Sequence, residues 1–134
     1  MKINKLLLGV ILLSVSLFAE LQNIVASPEF LKKDIPVIDV RTPGEWKQTG
    51  IVKGAHTIMF FNEQGKYNVE AFLKALNQAV DTKKPFALIC RTGSRTAMIS
   101  DFLDKELHYN VINLTGGMVE LTKQGYQPAP YDGK

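Results

Sequence analysis

Three short apolar runs, 36–40 (PVIDV), 86–89 (FALI) and 111–114 (VINL), each lead within a few residues into a segment that begins like a helix. Runs of four or five apolar residues rich in β-branched side chains read as buried strands. Strands that alternate with helices build an α/β sandwich around a mostly parallel sheet. Two further strands are expected at 21–25 (LQNIV) and 57–60.

The helix starts carry their own signals. Ser27-Pro28-Glu29 offers an N-cap, a proline at the first helical position and an acid in the first turn, for a short helix over 28–33. Thr42-Pro43-Gly44-Glu45 has the spacing of a capping box, followed by Trp46 and ended by Gly50. Val69, Phe72, Leu73, Leu76 and Val80 form one apolar stripe on a helix over 68–80. A helix starting near Gly93 runs to about residue 107, with Met98, Ile99, Phe102 and Leu103 as its expected inner face. Gly116-Gly117 turns into a last helix over 118–124, with Gly125 at its C-terminal end.

Residues 1–19 read as a signal peptide, and 20–134 as one domain. Lys2 and Lys5 precede an apolar run over 6–18, and small Ala19 precedes Glu20. The run is shorter than the ~20 residues a spanning helix needs, so no stable membrane insertion is expected after cleavage. The expected location is therefore periplasmic or secreted. Removing 1–19 leaves 14 of the 16 basic side chains against the same 13 acids. A mature chain so balanced presents no basic stripe, which argues against a nucleic-acid partner.

The single cysteine, Cys90, excludes an internal disulfide. It sits where the strand over 86–89 runs into the loop Cys90-Arg91-Thr92-Gly93-Ser94-Arg95 and then into a helix. Loop amides, a helix N-terminus worth about half a positive charge, and two arginines all favour thiolate over thiol. Lowering a thiol pKa from about 8.5 to about 6.5 requires a differential interaction of only ~2.7 kcal/mol. Gly93 permits the backbone angles of a closed loop. The hydroxyls of Thr92 and Ser94 can join in, although their amides matter more. A packed structural cysteine is the competing reading, and two arginines in a six-residue loop weigh against it. Sites in parallel sheets lie beyond the carboxyl ends of the strands, where both Cys90 and Asp39 are placed.

Together these segments resemble the rhodanese-like domain family over about residues 21–127. Asp39-Val40-Arg41 with Pro43, Glu45 and Trp46 resembles its D-V-R-x-x-x-E-aromatic segment. Gly50 followed by Gly54-Ala55 resembles G-H-I-x-G-A, with Ile51 in place of the usual histidine. The loop from Cys90 to Arg95 resembles C-R-x-G-x-R, and Gly116-Gly117-Met118 with Gly125-Tyr126 resembles the C-terminal G-G-x and G-[YF] segment. The resemblance implies a three-layer sandwich of about five strands with helices on both faces. It also implies ping-pong sulfur transfer from a small anionic donor, thiosulfate or polysulfide, to a thiol or cyanide, or to a protein thiol. Cys90 would carry the persulfide, while Arg91, Thr92, Gly93, Ser94 and Arg95 bind substrate. Asp39 and Arg41 resemble paired charges under the loop, and either orient it or form a plain ion pair at a strand end. No metal or other cofactor is implied.

Two other readings stay open. One is a sulfur carrier or interaction module without rapid turnover. The other, the lesser, is a phosphatase or arsenate reductase, whose longer C-x5-R loop suits a tetrahedral oxyanion; here the spacing is C-x4-R. Trp46 is expected to be core or lid rather than a substrate contact, and His56 and His108 to be ordinary surface or loop histidines.

Overall fold

The computed structural model describes residues 20–133. The signal-peptide expectation for 1–19 lies outside the described residues. Ten elements follow in the order β1 (Gln22–Val25), α1 (Pro28–Leu31), β2 (Val37–Asp39), α2 (Pro43–Thr49), β3 (His56–Thr57), α3 (Val69–Ala79), β4 (Phe86–Ile89), α4 (Ser94–Leu107), β5 (Val111–Thr115) and α5 (Gly117–Lys123). The strands form one five-stranded sheet in the order β1-β5-β4-β2-β3, and every strand pair is parallel.

Strand alternation divides the core into two layers. Ile38, Val40, Phe86, Leu88, Cys90 and Val111 face Phe72 and Leu76 of α3 and Ile99 and Leu103 of α4. Val37, Ala87, Ile89, Ile112 and Leu114 face Phe30 of α1 and Met118 and Leu121 of α5. All four residues of β4 are therefore fully buried, as the continuous apolar run requires. Leu88→Ala would cost roughly 2–5 kcal/mol at such a site.

Local signals act as the sequence suggests. The Ser27 hydroxyl accepts from the Phe30 amide. Thr42 and Glu45 close a full capping box, each side chain accepting from the other's backbone N–H. Gly125 stands just past the α5 cap, where its N–H and that of Tyr126 satisfy the Thr122 and Leu121 carbonyls.

Three expectations need correction. The strand expected over 57–60 is the two-residue β3, although Ile58 and Phe60 still donate to the Asp39 and Val40 carbonyls. Helix α1 ends at Leu31, because its last turn closes on Lys32. Met98 is 64% exposed rather than inward. The buried line of α4 is Thr96, Ile99, Ser100 and Leu103, spaced i, i+3, i+4, i+7, so two small polar residues take positions that apolarity alone would not assign.

The topology marks one place on the sheet. The chain leaves β2 towards its outer neighbour β3, and leaves β4 in the opposite direction towards β5. Between these adjacent strands the connections diverge and open a crevice at their carboxyl ends. Cys90 follows β4 there, and Val40 and Arg41 follow β2.

Candidate active site

β4 delivers Cys90 into the loop that starts α4. The side chain has no solvent-accessible surface. Its Sγ accepts the Gly93 N–H at 3.2 Å and lies 3.6 Å from the Thr96 hydroxyl. Thr96 Oγ1 also lies 3.2 Å from the Gly93 carbonyl, to which it donates. A hydroxyl has one proton, so Thr96 gives it either to that carbonyl or to an ionised sulfur. Gly93 holds φ +97°, and a Cβ there would lie 3.0 Å from the Gly116 amide nitrogen. The turn thus needs glycine both for its backbone and for space.

The outer side of the loop rests on α5. Met118 and Val119 donate their amides to the Cys90 and Arg91 carbonyls at 2.9 and 3.0 Å. Gly117, at φ +59°, allows this approach, since a Cβ would stand 2.4 Å from the Cys90 oxygen and 2.6 Å from the Arg91 oxygen.

Asp39 and Arg41 make a buried bidentate pair. Arg41 Nε reaches Oδ1 at 3.0 Å and Nη2 reaches Oδ2 at 2.7 Å, with side chains 1% and 0% exposed. Arg41 also donates to Thr49 Oγ1 at 2.7 Å and to the Gly50 carbonyl at 2.8 Å, and the Trp46 indole donates to Asp39 Oδ1 at 3.1 Å. The pair therefore fastens the middle and the C-terminal end of α2 to β2. Among the described residues, no side-chain hydrogen bond runs from Asp39 or Arg41 to residues 90–95. Trp46 is core, stacked at a tilt on Tyr131 with ring centroids 5.3 Å apart. His108 caps α4 at the surface, and His56 is half-buried in β3.

The two loop arginines differ. Arg95 is half-buried, and both of its terminal nitrogens bind Glu45, at 2.7 and 2.8 Å. Hydrogen bonds from Arg95 hold the Glu45 carboxyl down to about 2; partial burial opposes them, and the Thr42 amide assists. The same hydrogen bonds raise Arg95 against its own partial burial, and the charge of Glu45 pushes the same way. Arg91 by contrast is exposed, as are Thr92 and Ser94, whose hydroxyls lie 3.5 Å apart. A hollow of about 500 Å³ lies between α1 and residues 52–55, and none of residues 90–95 lines it. A smaller one of about 240 Å³ touches the loop at Arg91.

Four contributors were not assigned to the site from sequence: Glu45, Thr96, Gly116 and Gly117. Glu45 was accounted for by its capping box, and Thr96 by its place one step past the loop. Only the paired glycines after β5 carried a signal, a close backbone approach.

The Rhodanese-like domain model matches residues 18–124. An uncharacterized Rickettsia prowazekii (strain Madrid E) protein, RP600, is 31% identical over 103 residues, covering 72% of this chain and 82% of that one. The crystal structure of a rhodanese-like domain protein from Staphylococcus aureus superposes with a TM-score of 0.58 at 21% identity, covering 81% of this chain and 98% of that one. Rv0390 from M. tuberculosis does so with 0.59 at 20%, covering 74% and 80%. At these identities the structural likenesses establish the fold, and the family match with the 31% relative establishes kinship: the chain belongs to the rhodanese-like domain family.

Proposed function

We propose that this protein is a sulfurtransferase that moves sulfane sulfur from thiosulfate or polysulfide to a thiophilic acceptor through a Cys90 persulfide. The observation that carries the reading is the seat of the sulfur. Cys90 Sγ lies at the carboxyl end of β4 and accepts the Gly93 amide at 3.2 Å at the start of α4, with Arg95 in the first turn of that helix. A helix start and a guanidinium favour a thiolate nucleophile. The thiolate attacks the outer sulfur of thiosulfate, the S–S bond to the sulfonate breaks, and sulfite leaves with the electron pair. Cys90 keeps the outer sulfur as an anionic persulfide, stabilised by amide donors in the way an oxyanion hole stabilises oxygen. An acceptor thiolate or cyanide then removes it. Residues 1–19 support export, so the reaction is placed in the periplasm or outside the cell.

Incubation of the protein with thiosulfate or polysulfide should add the mass of one sulfur atom to Cys90, reversibly by thiol, and cyanide should release thiocyanate. Cys90→Ser should abolish both. A wild-type protein that gains no sulfur from any donor rejects the reading. One observation favours a second reading, a carrier loaded by a partner: Arg95 is engaged by Glu45 rather than presented to a donor anion. A carrier gains the same adduct from polysulfide or a protein persulfide but turns over thiosulfate poorly.

A further inference from the structure

Two buried polar atoms stand without partners beneath α4. Ser100 is fully buried and Asn113 is 3% exposed. Among the described residues, Ser100 Oγ and Asn113 Oδ1 take part in no hydrogen bond, with each other or with any other group. Asn113 spends its amide nitrogen on Asn23 Oδ1 of β1 at 3.0 Å, which fixes the direction of its side chain. Buried polar side chains are bonded as a rule, so each exception calls for a reason.

The fold brings the two atoms to one place. Asn113 alternates with Ile112 and Leu114, which face α1 and α5, so it shares the α4 side of the sheet with Val111. α4 packs chiefly on β5. A Cβ on Gly93 would lie 3.0 Å from the Gly116 nitrogen and 3.6 Å from the Thr115 Cα, so the start of α4 is level with the end of β5. Seven residues of helix then descend about 10 Å to Ser100, and β5 descends about 7–10 Å from Thr115–Gly116 back to Asn113. The two side chains are therefore level. Around the helix, Met98, Ile99 and Phe102 face a hollow shared with Phe60, Phe61 and Val69 of α3. Ser100 stands ~100° beyond Ile99, turned from that hollow towards β5.

We infer that one internal water binds beneath α4 and bridges Ser100 to Asn113. Asn113 Oδ1 only accepts, so the bridging molecule must donate to it; the Ser100 hydroxyl donates to the water oxygen in turn. Two polar partners are the minimum that holds a buried water. Asn113 also links the site to Asn23, which is exposed on the edge strand, so the water has a polar route to solvent. Thr96 precedes Ser100 by four residues on the same buried line and lies 3.6 Å from Cys90 Sγ. Successive turns of one helix thus serve the sulfur and then the water, which ties that helix to β5. The site does not depend on the persulfide reading.

A crystal structure of the protein should show one ordered water within about 3.2 Å of both Ser100 Oγ and Asn113 Oδ1. In solution, NMR should record cross-relaxation from a slowly exchanging water to the backbone amide of Ser100, and the signal should vanish in the Ser100→Ala/Asn113→Leu double variant. Each single variant leaves the other group without its bridge and should lower the folding equilibrium constant about tenfold in urea unfolding. The double variant is apolar at both positions and should lose clearly less than the product of the two single effects. A direct Ser100–Asn113 hydrogen bond with no water between them overturns the site. So does cross-relaxation that persists in the double variant, and so do single losses that simply multiply. Should the double variant fail to fold, the crystal structure of the wild type decides alone.

Discussion

Gly117→Ala tests whether α5 shapes the sulfur loop, and its cost can be worked from the structure. The new Cβ would meet the Cys90 oxygen at 2.4 Å and the Arg91 oxygen at 2.6 Å. Carbon and carbonyl oxygen settle no closer than about 3.3 Å, so helix and loop must part by nearly 1 Å. That stretches the Met118 and Val119 hydrogen bonds, each worth about 1 kcal/mol. The backbone angle, φ +59°, adds about 1–2 kcal/mol for a residue with a Cβ. The sum is about 3–4 kcal/mol of destabilisation. Because a displacement of about 1 Å near the reacting atoms costs on the order of 10²-fold in rate, sulfur loading should slow by that much. Gly125→Ala is the control. It has φ +95° but no heavy atom within 4 Å of its Cβ, so it should show the backbone cost alone, about 1–2 kcal/mol, and load normally. Urea unfolding and timed mass measurement of the Cys90 adduct read both effects. A Gly117→Ala protein that is no less stable than Gly125→Ala and loads at the wild-type rate refutes the reasoning.

Glu45 makes stability depend on acid. Its folded pKa is depressed from 4.5 to about 2, so its contribution is complete above about pH 4.5 and is lost as the pH falls towards 2. Full conversion of the shift gives ~3 kcal/mol, but both side chains are about a quarter exposed and screened, so about 1 kcal/mol is expected. Urea titrations should show wild type exceeding Glu45→Gln by that amount near pH 7 and converging below pH 2; a gap that persists in acid contradicts the assignment. Thr96→Val keeps the shape beside Cys90 and removes the hydroxyl. Loading should fall about tenfold, as for one lost hydrogen bond to a charged group, and Thr96→Ser should restore it. Since Cys90 has no accessible surface, methyl methanethiosulfonate should modify it at least about tenfold faster than a bulky maleimide, relative to a free thiol, and urea should erase the difference. Equal rates in the folded protein would mean an open sulfur.

What the sequence discloses depends on how far apart the cooperating residues lie. β4 falls on the predicted residues because four consecutive apolar side chains need burial on both faces, and the Thr42–Glu45 box forms because its partners are three residues apart. The Glu45–Arg95 pair joins residues 50 apart, and Glu45 already had a local explanation in its cap. Met98 was misplaced because apolarity was followed instead of the helical period, on which Thr96 and Ser100 hold the inner positions. Asp39 and Arg41 were legible as paired charges from the family resemblance, and they do pair. That they bind α2 through Trp46, Thr49 and Gly50 depends on how β2 and α2 meet, and no spacing encodes that.

Two helix starts meet at one six-residue loop, and their division of labour follows from peptide geometry. α4 offers the Gly93 amide to the sulfur, whereas α5 offers its amides to the carbonyls of Cys90 and Arg91. A trans peptide is planar, with its N–H directed opposite its C=O. Fixing the Cys90 and Arg91 carbonyls on α5 therefore turns the N–H groups of Arg91 and Thr92 away from that helix, to the open side of the loop. A persulfide carries its charge on the outer sulfur, and amides so directed are the donors it would meet. The glycine pair after β5 and the cysteine after β4 are then parts of one device. The first sets the distance of α5 from the loop, and that distance sets where the amides of the second point.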